Sequence, residues 1–366
     1  MDMERISTQR DLGRQYGLYG PLSIFGGTAN SELAKQIADR LHRPLGNVTI
    51  WQFDNQNVFA KLNESVRGKD VFLIQPICAG IRNRKCKGGE CVLPERAAQL
   101  QPDEFEQISV SVNDNILELL VLLDTLRRDS AGRLTAVLPY FAYGRTDKKD
   151  QPRVPITARL MADIIGAAGA GRFLVMDLHA GQIQGFFSIP GDELTARHIL
   201  VDYFRDRNIP NAVIVAPDIG ASRRARNFAE DLDLPLAIVE KRRQPDASGI
   251  RQFNLIGNVD GRNAIIFDDE IDTGSTIAKA AHFVREHGAL DVYACATHAL
   301  LSPPLGVQNM QTARLKELVV TNTVYISPEK RRALQPYLQV LSVADLLAEV
   351  IRRIHLGISV GQLFNE

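Results

Sequence analysis

The sequence predicts an α/β protein whose parallel sheets are covered by helices. Three observations predict it. Short apolar runs recur along the 366 residues. Segments with apolar residues at helical spacing lie between many of them. The length allows two such units, each with its own buried core.

The runs are "PLSIFG", "NVTIWQF", "DVFLIQP", "LTAVLPY", "RFLVMDL", "NAVIVAP", "PLAIVE", "NAIIFDD" and "DVYACAT". Each reads as a short strand. Asn30 caps the helix "SELAKQIADRLH", and Glu32 sits near its first turn. "NDNILELLVLLDTLRR" opens a helix on Asn113 to Asn115. "ITARLMADIIGAAGA", "SRRARNFAEDL", "TIAKAAHFVREHG" and "VADLLAEVIRRIH" follow the same spacing. Strand, helix and strand in repetition mean a parallel sheet with both faces covered.

Composition excludes several function classes. Lys plus Arg and Asp plus Glu number 43 each, so no net field steers nucleic acid. Apolar residues make up 45% and charged ones 23%, an ordinary soluble mix. No apolar run approaches the roughly 18 residues of a membrane helix, so no membrane partner is expected. The start, "MDMERISTQRDLGRQYG", is charged and polar, which does not fit a secretory signal. Four cysteines in so long a chain do not make a disulfide framework. A cytoplasmic location is the expectation.

One stretch carries chemistry. "IIFDDEIDTGSTIAKAA", Ile265 to Ala281, runs from strand to acids, then to a small polar turn, then to a helix. Ligands of open α/β sheets bind beyond the carboxyl ends of the strands. Backbone amides at a helix start make a phosphate cradle. Thr273, Gly274, Ser275 and Thr276 fit that role. Asp268 and Asp269 suit the vicinal hydroxyls of a sugar, and Asp272 is a third acid beside them. The stretch reads as a phosphorylated-sugar site. An acidic strand end followed by an ordinary helix cap is the weaker alternative.

The same string resembles the ribose-phosphate loop of type I phosphoribosyltransferases. "NESVRGKDVFLIQ", "RTDKKDQPRVPITARL", "MDLHAGQIQGFFSIPGD", "APDIGASRRAR" and "VEKRR" are similar to phosphoribosyl pyrophosphate synthetase, or ribose-phosphate pyrophosphokinase. The likeness covers about Leu22 to Phe364, and "DLHAGQIQGFF" is its most specific part. It implies two phosphoribosyltransferase-like parallel-sheet domains related by a pseudo-twofold, with the active site between them. The expected division is 1–163 and 164–366, the second domain carrying the ribose-phosphate loop.

The resemblance implies transfer of diphosphate from ATP to the C1 hydroxyl of ribose 5-phosphate, leaving AMP. It implies Mg²⁺ as the cofactor, with Asp177, His179 and Asp218 at the metal and His179 also at ATP. Asp218 also faces the ribose phosphate. Lys241 and Arg243 match the family's catalytic loop, ahead of the lid-like "QPDASG", and would neutralise the transferring diphosphate. Phe53 would stack on adenine, with Asn55 on its edge. Asn57 stands where a glutamate is common. Arg145 and Thr146 replace an Arg-Gln pair at ATP. Further departures are Ser188 for an acid, Ala221 for a glycine and Glu270 for an apolar residue.

The largest departure is an insertion at Ala79 to Val112. Cys86 and Cys91 lie in it, but their spacing is loose and no histidine is present. An ordinary loop with a short helix around Glu95 to Leu100 is expected. The resemblance also implies a homo-oligomer, a hexamer, regulated by phosphate and ADP between subunits. Ser65, Arg67, Lys148, Lys149 and Arg153 keep part of that apparatus. Gly361 replaces a serine in the tail, so altered ADP inhibition is expected. A non-catalytic regulatory homologue that binds active subunits is the main alternative. A phosphoribosyltransferase that consumes the product is the weaker one.

Overall fold

Apolar runs become strands wherever both faces can be covered. Asp70–Ile74 is buried at every position, and so is Ala212–Ala216. The structure is a computed structural model. It describes residues 19–53, 55–84, 86–87, 90–91, 106–243 and 251–364. The side chains of 81–108, 241–253, 362 and 364 fall outside that description.

Two main sheets form. The first has the order Leu22–Gly26, Asp70–Ile74, Arg133–Leu138, Arg172–Met176 and Gly191–Leu194, every pair parallel. The second has the order Arg251–Ile256, Leu236–Arg243, Ala212–Ala216, Asn263–Ile271, Val292–Ala299, Glu317–Thr321 and Leu338–Leu341. Only its first pair is antiparallel. Helices cover both faces of each sheet and close four apolar clusters.

The expected division at 163/164 falls inside the helix Thr157–Ala168. Two more strands of the first sheet follow that helix, ending at Leu194. The change of sheet comes between Leu194 and Ala212. The chain also returns. The last helix, Ala344–Leu356, packs against Ser31–Arg40 on the first sheet. A buried ionic cluster fixes it there. Asp70 takes Arg133 Nε at 2.8 Å and Nη2 at 2.6 Å. His355 Nδ1 lies 2.8 Å from the same carboxylate.

Local signals decide several boundaries. Asn30 caps Ser31–Arg40, as its sequence suggests, by accepting from the Leu33 amide at 3.2 Å. The next long helix starts earlier than expected, at Val112. Its cap is Ser111, in a reciprocal capping box with Asp114. "NVTIWQF" does not join a main sheet. It forms an antiparallel hairpin, Val48–Gln52 with Val58–Leu62.

The insertion begins and ends as strands rather than as loop. Gly80–Arg84 pairs antiparallel with Glu106–Val110, and Cys86–Lys87 with Glu90–Cys91. The helix expected around Glu95 to Leu100 lies outside the described residues. No helix among the described residues is long and apolar enough to cross a membrane.

Candidate active site

A cleft of about 480 Å³ opens where segments following strands of the two sheets meet. Strand ends deliver its walls. After Arg133–Leu138 come Arg145, Asp147 and Lys148; after Arg172–Met176 come His179 and Gln182. From the second sheet, Asp218 follows Ala212–Ala216, and Arg224 stands in the first turn of Ser222–Leu232. Asp268, Asp269 and Glu270 come from Asn263–Ile271, and Thr276 from the helix Ser275–Glu286.

Asp269 is the centre of the polar wall. His179 Nδ1 lies 2.8 Å from its Oδ2, and Arg224 Nη2 lies 2.8 Å from its Oδ1. Arg224 Nη1 also donates to the His179 carbonyl at 3.0 Å. The Asp269 amide donates to Asp268 Oδ1 at 2.9 Å. Burial opposes ionisation of Asp269, but hydrogen bonding with His179 and Asp268 and the Arg224 charge pull its pKa down. Asp268 goes the other way. Burial, then the hydrogen bond and charge of Asp269, push it well above the carboxylate range. The two adjacent acids therefore have opposite protonation tendencies. Hydrogen bonding to Asp269 raises His179, against the effect of its burial.

A second ionic group flanks the first. Arg145 Nε pairs with Glu270, and Arg145 Nη1 lies 3.3 Å from Asp272 Oδ2. The Tyr140 hydroxyl donates to Glu270 Oε2 at 3.1 Å. Burial first, then the Glu270 charge, raises the Tyr140 pKa.

The turn after the acids leads directly into a helix, and Thr273, Gly274 and Ser275 do not line the cleft. Gly274 adopts φ of +71°, and the helix begins at Ser275 with no side-chain cap. The left-handed backbone favours glycine there, and a Cβ would also press on Met310 Cε and the Gly306 carbonyl oxygen. Thr273 is held from outside, its carbonyl accepting from Asn309 Nδ2 at 2.8 Å.

Of the expected site residues, the cleft unites Arg145, His179, Asp218, Asp268, Asp269 and Thr276. Thr146 and Asp272 line a neighbouring cavity instead. Asp177 lines neither cavity. Its carboxylate accepts from the Ala196 amide at 2.9 Å and from Thr297 Oγ1 at 2.6 Å, so it joins the two halves. Phe53 lies in the hairpin turn with Asn55 and Asn57, and none of the three lines the cleft. Phe53 is 46% exposed and forms an aromatic cluster with Trp51 and Phe59. The Lys241 and Arg243 side chains, and the lid at 244–249, lie outside the description.

Four polar or charged side chains of the wall had no site role in the sequence: Asp147, Gln182, Arg224 and Glu270. Lys148, read there as regulatory, lines the cleft. Arg224 carried a signal. An arginine in the first turn of a helix opposes the dipole and needs an anionic partner. Glu270 carried another, as a third acid inside an otherwise apolar strand.

Residues 22–169 match the family described as the N-terminal domain of ribose phosphate pyrophosphokinase. Residues 250–365 match the phosphoribosyl synthetase-associated domain. A ribose-phosphate pyrophosphokinase from Caldanaerobacter subterraneus is 42% identical over 344 residues, covering 94% of this chain and 98% of that protein. The chain belongs to the ribose-phosphate pyrophosphokinase family. The Nostoc pyrophosphokinase is 43% identical, over 94% of this chain and 93% of its own length. The crystal structure of phosphoribosylpyrophosphate synthetase from Mycobacterium smegmatis shares the fold with a TM-score of 0.76. It is 37% identical and covers 91% of this chain and 98% of that one. Family membership thus spans both sheets and the cleft between them.

Proposed function

We infer that this chain transfers the terminal diphosphate of ATP to the C1 hydroxyl of ribose 5-phosphate. A bond forms from the C1 oxygen to the β-phosphorus. The bond from that phosphorus to the α,β-bridging oxygen breaks, and AMP leaves with the electron pair. The observation that supports the reading is the cleft itself, where Asp218, Asp268, Asp269 and Thr276 from one half face Arg145 and Lys148 from the other.

The amides and hydroxyls of Thr273 to Thr276 take the 5-phosphate. Asp269 is committed to His179 and Arg224, so Asp268 is the acid with capacity for the ribose diol. Arg145, Lys148 and Arg224 place positive charge where the triphosphate would lie. Lys241 and Arg243 add charge in the transition state. His179 donates through Nδ1 to Asp269, which fixes the ring and leaves Nε2 for the nucleotide.

Mg²⁺ suits part of this donor set. It prefers oxygen ligands and keeps few protein ones beside substrate phosphates. Asp218 supplies such oxygens at the cleft, while Asp268 is held toward its protonated form and His179 and Asp177 are engaged elsewhere. The ion would supply charge neutralisation to the phosphates when bound. Among the described residues no group of three or more His, Cys, Asp or Glu is arranged to hold a metal alone.

Phe53, Asn55 and Asn57 keep their nucleotide role through a neighbouring copy, since their exposed hairpin does not line its own chain's cleft. This makes the active form a homo-oligomer, a hexamer by resemblance. The free, buried thiols of Cys78 and Cys295 fit a reducing cytoplasm. Incubation with ATP, Mg²⁺ and ribose 5-phosphate, with AMP as the readout, tests the function. Binding of both substrates without AMP would replace it with the non-catalytic regulatory homologue.

A further inference from the structure

The strand Gly191–Leu194 forms one edge of the first sheet, parallel to Arg172–Met176. Its Leu194 side chain packs with Leu174 and Met176 on the face covered by the last helix. Glu193 therefore turns to the opposite face, in register with Val175, where Phe173 and Val175 join another apolar cluster. A half-buried carboxylate on an apolar face is costly unless donors reach it. Two do. The Leu178 amide donates to Glu193 Oε1 at 2.9 Å, and Gln184 Nε2 donates to Oε2.

Both donors belong to the segment that follows Arg172–Met176 and runs into the short helix Gly181–Phe186. They lie on either side of His179. The segment starts under strain, because Asp177 takes a left-handed φ of +41°. Such a backbone persists only where its surroundings hold it. Ala196 and Thr297 hold the Asp177 side chain, and Glu193 holds the amide of the next residue. Further along, Gln182 donates to Asp147, and the His179 carbonyl accepts from Arg224 at 3.0 Å. Glu193 itself lines neither cavity.

We propose that Glu193 is a positioning residue for diphosphate transfer: through the Leu178 amide and Gln184 it sets the backbone that presents His179 to the cleft. Anchored on a strand, it gives the segment a rigid base, and small displacements at a reacting centre are costly. The effect on turnover rests on the proposed nucleotide role of His179, whereas the hold on the segment does not.

The test uses the full chain and substitutions at this one position. Glu193→Ala should lower kcat about tenfold and leave KM for ribose 5-phosphate within about twofold. Hydrogen exchange of residues 178–186, read by mass spectrometry, should quicken about tenfold in the same variant. Glu193→Gln should restore both toward native values, because a carboxamide oxygen still accepts from the Leu178 amide. Native kcat or native exchange in Glu193→Ala would overturn the proposal. So would equal losses in the Ala and Gln variants, which would assign the effect to charge rather than to the hydrogen bond. If Glu193→Ala does not fold by circular dichroism, Glu193→Asp decides alone. Its carboxylate keeps the charge but is a methylene too short for Leu178, so a lowered kcat supports the proposal and a native one refutes it. Absence of AMP from the native chain would sink the enzymatic reading, and the exchange measurement would still decide whether Glu193 holds the segment.

Discussion

His179 Nδ1 lies 2.8 Å from Asp269 Oδ2, and that contact joins the two halves of the chain across the cleft. Hydrogen bonding to Asp269 raises the histidine, and the same bond helps lower the acid against its burial. The raised histidine stabilises the fold below its unfolded value, about 6.5, and loses that contribution as pH rises through its folded one. The lowered acid contributes above its unfolded value, about 3.9, and loses that contribution as pH falls through its folded one. The pair is therefore strongest between about pH 4 and 6.5. Asp269→Asn should move the His179 titration to lower pH, read by long-range ¹⁵N–¹H NMR. An unchanged titration would break the assignment.

Glu270 is buried and holds both Arg145 and Tyr140. Removing it leaves Tyr140 without its acceptor and frees Arg145 from one of two acids. Glu270→Ala should raise KM for ATP about tenfold, with a smaller effect on ribose 5-phosphate. Glu270→Gln should recover part of the loss, since an amide oxygen still accepts from Tyr140. Equal effects of both substitutions on both substrates would mean that Glu270 does not position Arg145.

Lys241 lies on the strand Leu236–Arg243, in register with Phe253 of the antiparallel partner. The role proposed for Lys241, neutralising charge that develops during transfer, would be exerted mainly in the transition state. Lys241→Ala should lower kcat on the order of a hundred- to a thousand-fold, with ribose 5-phosphate affinity retained. Near-native turnover would remove Lys241 from the mechanism.

Asp70 is fully buried beneath Arg133 and His355. Truncating one member of a buried ionic group strands the others. Asp70→Ala should cost about 3–5 kcal/mol of unfolding free energy. Urea denaturation followed by circular dichroism measures it. A loss under about 1 kcal/mol would show that packing alone holds the last helix.

Much of this molecule is legible in its residue order. The apolar runs gave the strands, since a run such as Val71 to Ile74 has no other way to bury both faces. Asn30 announced its helix because a cap is a local hydrogen bond. The acids at 268 and 269 and the small polar turn after them marked a strand end leading into a helix for the same local reason.

Other features needed the tertiary structure. Asp177 sits in a specific motif, yet its carboxylate is spent on Ala196 and Thr297, partners 19 and 120 residues away. Arg224 and Glu270 reach the cleft only because the two sheets meet there. The division of the chain was missed because strands on either side of Thr157–Ala168 look alike in sequence, and only pairing assigns them to a sheet. The chain by itself determined its strands, the Asn30 cap and the turn from the acids into the helix at Ser275, all set by contacts between near neighbours. Tertiary structure alone decided which acids are paired, which are pushed toward protonation and where a second cavity lies. Those outcomes depend on charge and burial contributed by residues far apart in the chain.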